Sequence, residues 1–249
     1  MADFQRNLKL TVAYEGTHYA GFQKQAGNIL TIQETLENAV KRITGEEVKL
    51  TGAGRTDSGV HARGQVVNFL TQAKLETEQW MKALNAVLPE DIAITGAVEV
   101  EPTFHARFSA KAKTYSYRIH TGKTRPVFNR NFVYFYRYQL DGEKMRKAAE
   151  QLIGRFDFRS FQAAGSSVKT TVRTVHFCRL SRVGTELVFE INADGFLYHM
   201  VRNIVGTLIL VGNGKLSESE FSEILRKEDR SFAGPTAPAL GLCLEEVIY

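Results

Sequence analysis

Long apolar runs, cysteines and a signal-like N-terminus are scarce or missing in this 249-residue chain. Its longest apolar stretch, residues 204–211, is far too short to span a bilayer. The first ten residues hold polar and charged side chains rather than an apolar signal core. Cys178 and Cys243 lie far apart and match no zinc or redox spacing, so we expect neither a disulfide framework nor a cysteine metal site. We therefore expect a cytoplasmic protein that does not bind a membrane.

Metal-binding histidine patterns are also missing. The six histidines form no HxH, HxxxH or HExxH pair, and no Ser-His-Asp assignment is suggested. A metal site assembled from distant positions stays open, but no spacing supports one. The composition, with 43% apolar and 24% charged residues, is ordinary for a globular protein with one or two cores. It excludes collagen, coiled coil and low-complexity disorder.

Acidic residues are absent from two long spans, residues 102–140 and 158–185. These spans hold eight and five lysines and arginines, so the remainder is net negative although the whole chain carries +5. Ten aromatic residues are interleaved with the bases of the first span. Some of them must be core, but arginine beside exposed rings suits nucleic acid, because guanidinium holds phosphate and rings stack on bases. The charge pattern therefore favours a polyanionic partner over plain solvated surfaces.

Hydrophobic periodicity predicts the order β-α-β-β-α-β in the first half of the chain. A capping box at Thr31 and Glu34 opens the first helix, which Gly45 ends, and the second helix is expected at residues 77–88. This order is typical of a ferredoxin-like sandwich, with two helices on one face of an antiparallel sheet. The strands are expected at residues 8–15, 48–53, 65–70 and 92–100.

The second half predicts the same order once extra elements are set aside. We therefore predict the α+β class, with two ferredoxin-like (βαββαβ) halves whose antiparallel sheets join around a central basic cleft. No linker rich in Pro, Gly or Ser separates the predicted domains, residues 1–108 and 109–249, so a tight junction is expected. Strands are expected at residues 113–121, 132–136, 171–181, 186–192 and 242–248, and helices at 141–153, at 198–211 and after Ser217.

The densest candidate for chemistry is the segment GAGRTDSGVHA at residues 52–62, between two predicted strands. Three glycines allow a sharp turn and the close approach of a ligand. Between them lie Arg55 and Asp57, and a carboxylate whose charged form a guanidinium favours can act as a nucleophile. A plain turn in which Asp57 bonds its own backbone is an equally good interpretation of this segment alone.

A second candidate is the predicted helix YHMVRNIVG at residues 198–206. His199, Arg202, Asn203 and Gly206 share one face, and apolar residues fill the other. An arginine in so apolar a helix needs a partner, and a carboxylate from elsewhere would satisfy it. An exposed surface arginine is the alternative. The small Gly206 indicates that something approaches this face closely.

Five segments stand out in order along the whole chain: the stretch from YEG to GFQ at residues 14–23, GRTDSGVH at 54–61, FHARF at 104–108, YHMVRNIVG at 198–206 and TAPALGL at 236–242. Together they resemble the TruA-type tRNA pseudouridine synthases, and GRTDSGVH is the most specific of the five. One departure is Phe22, where the family usually has tryptophan, and it keeps an aromatic ring.

The resemblance implies that the protein isomerises uridine to pseudouridine at positions 38, 39 and 40 of tRNA, in the anticodon stem-loop. The base leaves C1′, turns and rejoins through C5, so neither a metal nor a small-molecule cofactor is expected. Asp57 matches the catalytic aspartate, Tyr115 the ring that packs on the target uracil, and Arg202 the basic partner that orients the aspartate. Arg55 matches an arginine that helps to hold the target nucleotide out of the stack. Whether Asp57 attacks C1′, attacks C6 or first removes a ribose proton stays open.

The expected partner is therefore tRNA, and the resemblance also implies a homodimer. The first domain would carry the aspartate loop, and the second would complete the active site and the RNA surface. The expected RNA-binding residues, beside Arg55, are Phe104, His105, Ala106, Arg107, Phe108, Lys111, Gly165, Ser166, Ser167, Val168 and Lys169.

Two other functions stay open from the residues alone. A non-catalytic protein that binds structured RNA explains the charge pattern equally well, but it does not require Asp57, because a carboxylate weakens phosphate binding. A hydrolase acting on RNA would need a second acid–base group, and His61 is the only nearby candidate. The product distinguishes the three: modified, merely bound or cleaved RNA.

Overall fold

The computed structural model describes residues 5–27, 29–165 and 168–249, which form a mixed α+β protein with two compact units. The predicted α+β class is confirmed. The first unit contains the described residues up to Lys111 together with residues 244–249, and the second contains residues 112–243. The last six residues of the chain thus belong to the first unit, and the sequence pattern did not predict this return. Among the helices of the described residues, none has both the length and the apolar character needed to cross a bilayer.

The elements of the first unit are β1 (Arg6–Tyr14), α1 (Ile32–Thr44), β2 (Thr51–Gly52), β3 (His61–Thr71), α2 (Thr77–Val87), β4 (Ile92–Val100) and the closing strand β10 (Leu242–Ile248). The central strand β1 lies between β3 and β4 and is antiparallel to both. The strand order is β4-β1-β3-β10, and β2 also pairs with β3. Helix α2 packs on β4, and its Trp80 meets Phe69 of β3 edge to face.

Local signals explain the start of this unit. In β1 every second side chain from Leu8 to Tyr14 is buried, which is the period of a half-buried strand. The side chain of Thr31 accepts a hydrogen bond from the Glu34 N–H and caps α1. Gly45 ends the helix in the left-handed conformation, at φ 77°, as predicted.

The strand expected at residues 48–53 shrinks to two residues for a physical reason. The Leu50 N–H donates to Glu37 Oε1, and its carbonyl accepts from Gln33 Nε2. Both backbone groups are therefore satisfied by side chains of α1 rather than by a neighbouring strand. Strand β3, by contrast, is longer than expected, because it begins at His61, four residues before the expected start.

The elements of the second unit are β5 (Ala112–His120), β6 (Tyr134–Phe135), α3 (Gly142–Glu150), β7 (Gly154–Asp157), β8 (Val172–Val183), β9 (Glu186–Ala193), α4 (Met200–Gly212) and α5 (Glu218–Lys227). The strand order is β5-β9-β8-β7, with β6 parallel to β5. Helix α3 packs on β8 and contacts α4 and α5. Ser217 forms a full capping box with Glu220 at the start of α5.

Several sequence-based bounds in this unit were wrong. Strand β7 was not expected, helix α3 ends at Glu150 rather than at residue 153, and β6 keeps only two of five expected residues. Helix α4 begins at Met200, because His199 adopts a left-handed φ of 59° and so lies outside the helix. Strand β5 is buried on both faces over residues 114–117.

Candidate active site

The glycine-rich loop between β2 and β3 holds Asp57 in a backbone turn. The Val60 N–H donates to the Asp57 carbonyl at 3.1 Å, and Gly59 takes a left-handed φ of 77°. On the other side of the loop, the Phe22 N–H donates to the Thr56 carbonyl at 3.1 Å. The Asp57 side chain is half-buried, and that of Arg55 is exposed. The loop therefore presents a cation and a carboxylate from a backbone that is held on both sides.

Two glycines that follow β1, Gly16 and Gly21, lie very close to the backbone of this loop. A Cβ atom on Gly16 would lie 2.0 Å from the Val60 carbonyl oxygen. Gly21 has a φ of 98°, and a Cβ atom there would lie 2.7 Å from the Thr56 carbonyl oxygen. Only glycine fits such backbone approaches. Gly16 and Gly21, both in a segment that the family resemblance includes, thus line one side of the aspartate loop.

A buried polar network lies beneath the loop, and the sequence did not reveal it. The Tyr14 hydroxyl is 2.8 Å from Thr56 Oγ1. Gln65 Nε2 donates to the Gly54 carbonyl at 3.0 Å and to the Tyr14 hydroxyl at 3.4 Å. All three side chains are buried. They come from β1, β3 and the loop itself, so only the strand register brings them together.

His61, the residue that a hydrolase would use, is built into the structure beside the loop. Its ring is 3% exposed, and Nδ1 accepts a hydrogen bond from the Gly16 N–H at 3.1 Å. A nitrogen that accepts from the backbone carries no proton to donate. This placement argues against the hydrolase, because a general acid or base has to reach its substrate.

Tyr115 lies in the second unit, on β5 opposite Ile191 of β9. Its ring meets that of Phe196 edge to face, with centroids 4.9 Å apart. The Tyr115 side chain is 7% exposed. Packing therefore fixes the plane of the ring, as a stacking surface for a base requires.

Arg202 lies in the first turn of α4 and is half-buried rather than exposed. Its Nε donates to the Ala237 carbonyl at 2.8 Å, and the Ala237 N–H donates to the Arg202 carbonyl. A Cβ atom on Gly206 would lie 1.7 Å from the Pro235 carbonyl oxygen. The close approach predicted at Gly206 is confirmed, and the approaching group is the backbone of residues 235–237.

Asn203 anchors the same segment from inside the second unit. Its Oδ1 accepts from Thr236 Oγ1 at 2.6 Å and from Arg230 Nη2 at 3.1 Å, and its Nδ2 donates to the Phe161 carbonyl. The Asn203 side chain is fully buried, and burial lowers the pKa of Arg230 from its ordinary value. No sequence pattern marks Arg230, because its contact with Asn203 joins two residues that lie 27 positions apart in the chain.

The turn at residues 104–108 divides into anchoring and exposed residues. Ala106 is fully buried against Ala53 and Val66, and the Phe104 ring packs on Tyr249. By contrast, Phe108 is 76% exposed. Its ring lies 4.2 Å from the His105 ring and 5.7 Å from the Arg107 guanidinium carbon. Arg107 and Phe108 are therefore exposed, whereas Phe104 and His105 are half-buried.

The remaining expected RNA-binding residues are scattered. Lys111 is exposed, and its N–H donates to the Ile248 carbonyl. Gly165, Val168 and Lys169 are exposed, whereas Ser166 and Ser167 lie outside the described residues. Of the three expected catalytic residues, Asp57 belongs to the first unit, and Tyr115 and Arg202 belong to the second. Within residues 5–27, 29–165 and 168–249 there is no cluster of three His, Cys, Asp or Glu residues that could hold a metal ion.

Comparisons with known proteins agree over nearly the whole chain. A family model described as tRNA pseudouridine synthase matches residues 10–109 and 148–249. The tRNA pseudouridine synthase A of Caldicellulosiruptor bescii is 49% identical over 244 residues, which cover 98% of this chain and 100% of that protein. Its counterpart in Moorella thermoacetica is 50% identical over 243 residues, covering 97% and 99% of the two chains. The crystal structure of a Cbf5-Nop10-Gar1 complex matches at a TM-score of 0.39 and 14% identity, over 95% of this chain and 57% of that one.

Proposed function

The chain belongs to the tRNA pseudouridine synthase family, a family of tRNA-modifying isomerases, and we propose which of its residues carry out the reaction. We also propose that the protein isomerises uridine to pseudouridine at positions 38, 39 and 40 of the anticodon stem-loop, and that it does so in the cytoplasm. The observation that carries this proposal is the half-buried Asp57 in a loop held by backbone bonds and glycine contacts. A held carboxylate is what an attack or a proton abstraction requires.

The proposed reaction breaks the bond between uracil N1 and C1′ of the ribose. The uracil turns, a bond forms between C5 and C1′, the hydrogen on C5 passes to water, and N1 takes up a proton. Asp57 starts this sequence by attack or by proton abstraction. Tyr115 packs on the uracil, and Arg202 pairs with the aspartate and orients it. Arg55, whose Nε donates to Gln23 Oε1, helps to hold the target nucleotide out of the stack.

The proposal assigns the two catalytic halves to two domains. The N-terminal domain, residues 1–108, supplies the aspartate loop, and residues 109–249 supply Tyr115, Arg202 and much of the RNA surface. We further propose two ferredoxin-like halves with a central basic cleft between their sheets.

We also propose that the protein is a homodimer. Light scattering of the purified protein would then give twice the 28.0 kDa chain mass.

Tritium release tests the reaction directly. A tRNA transcript labelled with tritium at uracil C5 is incubated with the purified protein, and no cofactor is added. We expect tritium to appear in water, because forming the C5–C1′ bond expels that hydrogen. Tight tRNA binding without release would favour the non-catalytic RNA-binding protein, and shortened RNA would favour the hydrolase.

The salt dependence of binding tests the RNA surface. Replacing Lys111 or Lys169 by alanine should lower the slope of log Kd against log salt by about 0.7 to 0.9 for each phosphate that the lysine neutralises. Lys41→Ala serves as the control, since Lys41 lies outside the acid-free spans and pairs with Glu47 at 2.6 Å. Filter binding at several salt concentrations measures the slopes. A slope equal to that of Lys41→Ala would show that the residue in question does not bind phosphate.

A further inference from the structure

We propose that Tyr14 and Gln65 are positioning residues that hold Asp57 in place through the side chain of Thr56. The inference rests on the proposed role of Asp57 in the isomerisation. Neither residue is expected to touch the RNA, because the Tyr14 side chain is 4% exposed and that of Gln65 is fully buried. Their function is to fix the residue that directly precedes the aspartate.

The hydrogen bonds of Gln65 define its orientation. Its Oε1 accepts from the Val66 N–H at 3.1 Å, so its amide nitrogen faces the loop. That nitrogen donates to the Gly54 carbonyl and to the Tyr14 hydroxyl oxygen. Because the Tyr14 oxygen accepts from Gln65, its own hydrogen can be donated to Thr56 Oγ1, 2.8 Å away. The network therefore holds the loop both at Gly54 and at Thr56.

The network is mounted on paired strands. Tyr14 ends β1 and Gln65 lies near the start of β3, and these strands pair antiparallel from Arg6 to Tyr14. The Thr56 side chain is 6% exposed, and the neighbouring Asp57 is half-buried. A displacement of the Thr56 backbone away from Tyr14 would also move the α-carbon of Asp57, because a peptide bond joins the two residues. Sheet geometry thus sets the position of the carboxylate.

Removal of the Tyr14 hydroxyl should therefore slow the reaction more than it weakens binding. In Tyr14→Phe the ring remains, but the buried Thr56 hydroxyl no longer has its partner and the loop becomes freer to move. We expect kcat to fall by about tenfold to a hundredfold, since a displacement of the order of 1 Å at a reacting group has effects of this size. We expect the KM for tRNA to change by less than about threefold, because the phosphate contacts are unchanged.

A matched control is available in the same segment. The Tyr19 hydroxyl donates to Asp91 Oδ1 at 2.7 Å, and its side chain is as buried as that of Tyr14. Tyr19→Phe removes one hydroxyl bond from the same region and leaves the main chain in place. Its kcat should stay within about threefold of the wild-type value, since it leaves the Thr56 contact intact. An equal loss in both variants would overturn the positioning role and indicate general destabilisation.

Substitutions of Thr56 test whether Tyr14 acts on Asp57 through the Thr56 hydroxyl. Thr56→Ser keeps the hydroxyl and should retain most of kcat, whereas Thr56→Val should resemble Tyr14→Phe. The double variant Tyr14→Phe/Thr56→Val should be no slower than the slower single variant, because both remove the same bond. Multiplied losses, or a wild-type kcat in Tyr14→Phe, would overturn the proposal. Absence of tritium release from the wild-type protein would instead overturn the proposed function, and this inference with it.

Discussion

Asp57→Asn should abolish turnover, with a loss of about a thousandfold or more, as is found when a group that acts in the chemical step is removed. Asparagine has nearly the shape of aspartate, so the turn closed by the Val60 N–H should persist. The amide can neither attack a carbon nor remove a proton. The loss is therefore expected for each of the three first steps that remain open.

The same variant should bind tRNA at least as well as the wild type. A carboxylate repels phosphate, and its removal takes away one negative charge. Tritium release measures the turnover, and filter binding of the same preparation measures the affinity. Retained turnover in purified Asp57→Asn enzyme would exclude a chemical role for this aspartate.

Asp91→Asn is the matched control for this result. Asp91 is also a half-buried aspartate of the first unit, and its Oδ1 accepts the Tyr19 hydroxyl bond. Asparagine can accept that bond through its own carbonyl oxygen, so fold and turnover should both be kept. Equal losses of turnover in Asp57→Asn and Asp91→Asn would show that the loss does not depend on a chemical role of Asp57.

Sequence patterns predicted those elements whose causes are local. Strand β4 and strand β10 have the expected bounds, because each has its own alternation and its own flanking turn. Strand β7 was missed because Gly154–Asp157 is short, begins with glycine and shows no alternation. It forms only because β8 offers it a partner. The short β2 has the same kind of cause, since Glu37 in α1 takes the Leu50 N–H.

The candidate site divides in the same way. The aspartate loop stood out because glycines and charges are adjacent in sequence at residues 52–62. The buried network beneath the loop could not be recognised in the sequence. Tyr14 contacts Thr56, and Gln65 contacts Tyr14, only because β1 pairs with β3. At residues 104–108 the sequence marked an RNA-binding segment but could not separate the buried Ala106 from the exposed Phe108. That separation depends on Ala53 and Val66, which lie far away in the chain.

Gly206→Ala should destabilise the protein by about 3 kcal/mol or more, the upper range for overpacking a well-filled core. In a helix interior, alanine ordinarily stabilises relative to glycine by about 1 kcal/mol, so helix propensity predicts the opposite sign. The steric clash decides, because the new Cβ atom would lie 1.7 Å from the Pro235 carbonyl oxygen. Residues 235–237 would have to move, and the hydrogen bonds between Arg202 and Ala237 would break as they do so.

Gly212→Ala, at the C-terminal end of α4, is the comparison variant. In Gly206→Ala the new Cβ atom would clash with backbone, whereas in Gly212→Ala it would clash with side chains. A Cβ atom there would meet Met145 Sδ at 2.5 Å and Leu140 Cδ2 at 3.0 Å. Both are ends of flexible side chains that can change rotamer, so the change in unfolding free energy should stay within about 1.5 kcal/mol. Urea denaturation of both variants measures the difference. If Gly206→Ala were as stable as Gly212→Ala, the segment at residues 235–237 could not be packed against the helix as described, and the hydrogen bonds that orient Arg202 would have no basis.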